Sequence, residues 1–251
     1  LIEPYLEMEG LIGIYLLGSA TRPFRDELSD YDIEVVVTDE VYRSLPDEKR
    51  HVFVIDEGPP RRVDHEFYLR PWSEFERLVD STQDLFHYPY QHAVILHDPS
   101  GRLAAVITLL AELPDDLRRV RMRVHYLEFL FGLGRARKTG ERGGDLNLQL
   151  LYGEALVALV KLIFLVKGSW PATRHWSEQE LQLLGVPQGF IEQIGEAFAV
   201  PTREKLSALI DGVKGWLEEC GETFHHDQQE LMRWAFLSDE GKEAFQTWTA
   251  R

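Results

Sequence analysis

Two aspartates standing two apart, Asp30 and Asp32, follow a Gly18-Ser19 pair after ten intervening residues and open the apolar run Ile33-Glu34-Val35-Val36-Val37. If residues 30–37 form a strand, side chains two apart share a face and lie about 7 Å apart, at a rise of ~3.3 Å per residue. Paired carboxylates on one face beside a Gly-Ser turn suit a divalent metal and a nucleoside triphosphate, because hard cations take oxygen ligands and bridge to phosphate. Gly18 lacks a Cβ, so its backbone can approach phosphates closely. Ser19 can offer its hydroxyl and amide to phosphate oxygens, above all if a helix begins just after it. Ser29, next to Asp30, can do likewise. Arg22 and Arg25 lie in the intervening loop, either to neutralise phosphate or as solvated surface arginines.

Two metals and a reacting hydroxyl need more than two acids, so a third carboxylate is expected on a neighbouring strand. The run Arg61-Arg62-Val63-Asp64-His65-Glu66-Phe67-Tyr68 supplies it. In a strand Asp64 and Glu66 share one face while Val63, His65 and Phe67 share the other.

These residues resemble the signature of the nucleotidyltransferase superfamily that includes DNA polymerase beta, kanamycin nucleotidyltransferase and the minimal nucleotidyltransferases. That signature is an apolar residue, Gly-Ser, a spacer, then Asp-x-Asp between apolar positions, filled here by Leu17, Gly18, Ser19, Asp30, Asp32 and Ile33. The resemblance implies Mg²⁺ held by Asp30, Asp32 and Asp64, since Val63-Asp64 after a short basic stretch matches the context of the family's third acid; Glu66 is the reserve. It implies nucleotide contacts from Gly18, Ser19, Arg22 and Ser29. It further implies transfer of a nucleoside monophosphate, AMP from ATP, to a hydroxyl of a small aminoglycoside-like molecule. In kanamycin nucleotidyltransferase-like enzymes a glutamate of the first bundle helix acts as base. Glu128 occupies that position and Glu154 competes for it. The family's lysine has no counterpart, because Gly132 stands four residues after Glu128. Two other readings stay open: transfer to a protein or tRNA end, as in toxin–antitoxin pairs, and a nucleotide-binding regulator without turnover.

The chain has 251 residues, 44% apolar and 27% charged, enough for one large domain or two ordinary ones. A net charge of −15 argues against a nucleic-acid acceptor, whose phosphates are bound largely through basic residues, and favours a cationic small molecule. The single Cys220 excludes an intramolecular disulfide and a cysteine-based zinc site and fits a reducing cytoplasm. The chain opens on Leu1 rather than Met, which is compatible with a lost N-terminal piece, and shows no secretory signal. The apolar stretch Ala155–Val166 is interrupted by Lys161 and falls short of the ~18–20 residues that span a bilayer, so no membrane is expected. A homodimer stays open.

Along the chain, residues 11–17, 30–38, 51–56, 62–69 and 92–97 read as strands. Residues 40–49 form a polar connection that turns helical before Pro46, and Glu57-Gly58-Pro59-Pro60 is turn chemistry. Helices are expected at 71–79 and 102–112. Beyond Pro114 helical periodicity takes over, at 117–138, 146–167, 177–184, 190–198, 203–220 and 228–237. The expected architecture is a mixed-sheet α/β (α+β) catalytic domain over 1–113, followed by an all-α bundle over 114–251, which is similar to aminoglycoside nucleotidyltransferases. In the helical half Lys161 and Arg174 are weaker candidates for phosphate contacts. Trp170, Trp176 and Trp216 read as core. His225-His226-Asp227 invites a metal, but adjacent histidines on a helix point apart and no third ligand stands at zinc-like spacing.

Overall fold

The computed structural model describes residues 1–59 and 61–249. The chain divides into two compact units, Leu1–Glu112 and Leu113–Arg251. In the first, the strands β1 (Leu11–Leu17), β2 (Tyr31–Val37), β3 (His51–Asp56), β4 (Arg62–Pro71) and β5 (Val94–His97) form one five-stranded sheet in the order β3-β4-β2-β1-β5. β2 and β4 run parallel and the other neighbours antiparallel, which is the mixed sheet that the sequence predicts.

β1 and β2 read as near-continuous apolar runs because both faces of these strands are covered. On one face Ile14, Ile33, Val35, Val37, Phe67 and Leu69 make a core closed by Tyr5 of α1 (Glu3–Leu6) and by Val41 and Tyr42 of α2 (Asp39–Ser44). On the other, Tyr15, Leu17 and Val36 pack with Phe75 of α3 (Trp72–Arg77) and with Leu103, Ile107 and Leu110 of α4 (Arg102–Ala111). A register shift between Leu11 and Gly13 brings Ile12 into this second core, as an extra residue in a strand re-aims its neighbours. Alternation along β2 puts Asp32 and Glu34 on the same face as Val36. That face therefore passes from apolar packing to acid within a few residues.

Some boundaries differ from the sequence expectation. Asp30 precedes β2 rather than opening it, and the predicted strand at 92–97 begins only at Val94, after a 3-10 turn at Tyr88–His92. The predicted helix at 71–79 resolves into α3 and a 3-10 turn, Leu78–Asp80. Gly58 N–H donates to Asp56 Oδ1 at 2.9 Å in the predicted turn, whose Pro60 lies outside the described residues.

The second unit is helical: α5 (Asp115–Gly140), α6 (Asp145–Val166), α7 (Ser177–Leu183), α8 (Gln188–Ala199), α9 (Arg203–Glu219), α10 (Gln228–Leu237) and α11 (Asp239–Trp248). α5 and α6 pack so closely that a Cβ on Gly132 would come within 2.8 Å of the Ala155 Cβ. A longer side chain there meets that contact, which is the physical setting of the missing lysine. α6 is, by length and composition, long and apolar enough to cross a membrane, because the helix extends well before Ala155. That corrects the sequence measure, which counts only the run from Ala155. Its Ala155, Ala158, Leu159 and residues Leu162 to Leu165 lie in the core of this unit. Trp170 and Trp216 are buried as expected, and Trp176 is half-buried. Arg121, wholly buried, lies over the rings of Trp170 and Trp248 at 5.6 and 4.5 Å.

Candidate functional site

The β1–β2 and β2–β4 pairings build the site. Leu17 stands opposite Asp32 on β1, and Glu66 stands opposite Asp32 on β4. Asp30, in the loop just before β2, turns its carboxylate toward both acids: one oxygen from each of Asp30, Asp32 and Glu66 lies within 4.8 Å of the other two. Burial raises the Asp32 carboxyl to about 6, and the neighbouring charges of Asp30, Glu66 and Glu34 push the same way. Such a site resists its own negative charge, and a divalent cation bound there would relieve it.

Gly18 closes the site from β1. Its φ of +71° and ψ of −159° belong to a region that side chains disfavour. A Cβ placed there would lie 1.8 Å from Oδ2 of Asp32. Glycine is thus required twice at this position, for the backbone angle and for the approach of the carboxylate. An all-oxygen set of three carboxylates suits the ligand chemistry of Mg²⁺.

The third carboxylate of the group is Glu66, where the sequence puts Asp64 first. The cause is a bulge. Val54 of β3 pairs with His65 and Ile55 with Val63, so Asp64 has no partner on β3 and is the extra residue of β4. Strict alternation fails across such a step. The Asp64 carboxylate lies 2.6 Å from Nδ1 of His65, whose ring is buried and stacked on Tyr31 at 5.1 Å.

Around the acids the charges are arranged in pairs. Tyr15 O–H donates to Glu34, and Arg70 Nε donates to the same carboxylate at 2.8 Å while its Nη1 reaches Glu74 at 2.6 Å. Glu34 is thereby committed to a half-buried ion pair, while Asp30, Asp32 and Glu66 form the carboxylate cluster. His51 on the edge strand β3 pairs with Glu66 through Nε2, and its ring lies tilted against Phe53 at 4.3 Å between centroids. Sequence reasoning misses His51, and the one signal for it is its place at the start of a strand that pairs with the acid-bearing β4.

The loop candidates hold one another. Ser19 begins a 3-10 turn, Ser19–Thr21, and Thr21 O–H donates to the Gly18 carbonyl at 2.9 Å. Arg22 is buried, not solvated; its Nη1 donates to Thr21 Oγ1 at 2.7 Å and its guanidinium lies over Tyr88 at 5.0 Å. Arg25 is exposed and lies over the Tyr31 ring at 4.0 Å, donating to its hydroxyl at 2.6 Å. Ser29 O–H donates to Asp26 at 2.9 Å, which keeps it within the loop turn.

In the second unit Glu128 is buried on α5, and its Oε2 lies 3.2 Å from Nδ1 of His125. Burial lowers the His125 pKa, with Arg121 and Lys161 adding to the effect and Glu128 opposing it. Glu154 and Lys161 are half-buried on α6, and Arg174 is exposed.

Residues 79–177 match the model of a domain of unknown function, DUF4037. That segment is less than half of the chain and contains none of the three clustered carboxylates. No curated protein matches the chain. Among solved structures, a nucleotidyltransferase-like protein from Exiguobacterium sibiricum 255-15 is similar over 97% of this chain and 75% of that one, with 16% identity and a TM-score of 0.46. No chemistry is carried over from a likeness of that size.

Proposed function

We propose that the chain is a Mg²⁺-dependent nucleotidyltransferase that moves AMP from ATP to a hydroxyl of a small cationic molecule of the aminoglycoside kind. The observation that carries this reading is the gathering of Asp30, Asp32 and Glu66 within 4.8 Å, against a glycine that admits no Cβ. The order of Gly18-Ser19, spacer and Asp30-Tyr31-Asp32 supports it, as does the excess of acid over base for the charge of the acceptor.

In this reading the acceptor oxygen bonds to the α-phosphorus, the bond from that phosphorus to the bridging oxygen breaks, and pyrophosphate leaves. Bound Mg²⁺ supplies electrostatic relief for the phosphate oxygens. Asp30, Asp32 and Glu66 would hold the cation, Gly18 would let the backbone come close, and Glu34 is paired with Arg70. The acceptor proton goes to a carboxylate base. Glu128 is the choice and Glu154 the competitor, both from the resemblance.

Incubation with α-labelled ATP, Mg²⁺ and a panel of aminoglycosides tests the reading. Label on an aminoglycoside, lost in Asp32→Asn, supports it. Label on a protein or RNA of a cell extract moves the acceptor to a macromolecule, and absence of label everywhere leaves a nucleotide-binding regulator. Glu128→Gln is expected to lower transfer by ~10²–10⁴-fold, the usual contribution of a positioned base, with ATP binding little changed. If Glu154→Gln has that effect and Glu128→Gln has none, the base lies on α6.

A further inference from the structure

The adjacent histidines of the second unit lie in a turn, not on a helix. α9 ends at Glu219, the chain reverses through residues 220–226, and Asp227 caps α10 by accepting from the Glu230 N–H at 2.8 Å. The reversal returns both imidazoles to Glu218 in the last turn of α9. His226 Nε2 lies 3.0 Å from Glu218 Oε1, and His225 Nε2 lies 3.7 Å from the same oxygen. One donor atom from each of the three residues lies within 4.8 Å of the other two.

His225 makes the cluster more than a surface coincidence. Its side chain is 2% exposed, and neither of its ring nitrogens has a hydrogen-bond partner. The ring is packed against Tyr126 and Phe224, each at 5.9 Å between centroids. A buried polar group without a hydrogen-bond partner is costly, and a coordinated ion would relieve that cost at this imidazole.

We propose that Glu218, His225 and His226 form a binding site for one divalent ion of the zinc class, with three protein donors and a fourth position open to water. Zinc bonds of about 2.0–2.2 Å in a tetrahedron place donors about 3.3–3.5 Å apart. The observed 3.0 and 3.7 Å separations straddle that range. Two imidazoles and one carboxylate suit a borderline first-row ion, whereas Mg²⁺ takes oxygen donors and keeps its waters. An ion here ties the end of α9 to the turn that leads into α10.

The test uses the full chain stripped of metal, in an Asp32→Asn background that weakens the carboxylate site. Zn²⁺ is titrated against a chromophoric chelator, and the ligands of bound Zn²⁺ are read by X-ray absorption. One equivalent of Zn²⁺ with histidine nitrogen ligation is expected, undisturbed by excess Mg²⁺. His226→Ala and Glu218→Gln alter exposed side chains, and each should weaken binding by at least about tenfold, the lower bound for loss of even an outer partner of a metal ligand. Circular dichroism, expected to be unchanged in both variants, checks that they remain folded. Absence of a tight equivalent in the parent, or equal affinity in parent and both variants, overturns the proposal.

Discussion

The two clusters of candidate ligand groups among the described residues are built by opposite means. Asp30, Asp32 and Glu66 are brought together by a parallel strand register and by a glycine that yields its Cβ volume to a carboxylate. Glu218, His225 and His226 are brought together by a helix end and a turn within nine residues of chain. The first set is all oxygen and half-buried; the second is mostly nitrogen, with one imidazole wholly enclosed. Donor type separates the ions each would take, and the framework separates the way each fails. A strand site is lost by shifting register or filling Gly18. A turn site is lost by removing one side chain.

The sharpest way to break the comparison is to remove a charge from the strand site alone. Asp30→Asn and Asp32→Asn keep side-chain volume and should each lower Mg²⁺-dependent triphosphate turnover by about 10³-fold or more, since electrostatic help from a metal is worth several kcal/mol at about 1.36 kcal/mol per tenfold. The fold and the Zn²⁺ equivalent should survive. Gly18→Ala should match that loss in turnover and add a loss of stability, because its Cβ would meet Asp32 Oδ2. Near-parental turnover in Asp32→Asn would end the catalytic reading.

The next test concerns the bulge. Glu66 stands opposite Asp32, whereas Asp64 is the unpaired residue beside His65. Glu66→Gln is therefore expected to cost about 10²-fold in single-turnover rate, within the range for losing one positioned electrostatic partner, and Asp64→Asn less than about tenfold. The reverse order would restore Asp64 as the third ligand and reduce Glu66 to a partner of His51.

What the sequence makes legible, and what it hides, follows the same division. The paired central strands, the Gly18-Ser19 turn and the switch to helices past Pro114 are visible because apolar runs and their interruptions report burial directly. The choice between Asp64 and Glu66 is not, because counting by twos assumes an unbroken strand and nothing in Val63-Asp64-His65 marks an inserted residue. Glu218 escapes notice as a ligand because it lies on the preceding helix, and reading 225–226 as helical turns the two imidazoles apart. α11 is hidden for another reason. Between Asp239 and Trp248 the buried positions are Gly241 and Ala244, too small to show as an apolar stripe. Its start signal is Ser238, whose hydroxyl accepts from Gly241 N–H at 3.0 Å.

The smallest expected effect is a pH slope, and it separates the clusters by linkage. The Asp32 carboxyl sits at about 6 in the folded chain against an ordinary 3.8. A carboxyl raised on folding holds its proton to higher pH in the native state, so the native state binds more protons than the unfolded one across that window. Its contribution to stability is therefore greatest below about 4, falls as pH rises to about 6, and is constant beyond. Glu3 and Asp39, whose carboxyls are lowered, slope the other way, so the quantity to measure is the difference between parent and Asp32→Asn. After allowance for solvent screening the difference amounts to about 2 kcal/mol at most, a few degrees in Tm. With chelator present, the parent should lose ground to Asp32→Asn as pH rises through this window. Saturating Mg²⁺ should recover that ground above about pH 6 and not below about 4, because the cation and the proton compete for the same oxygens. A flat difference curve would mean that Asp32 is not desolvated among its neighbours, and that the strand site carries its charge without a cation.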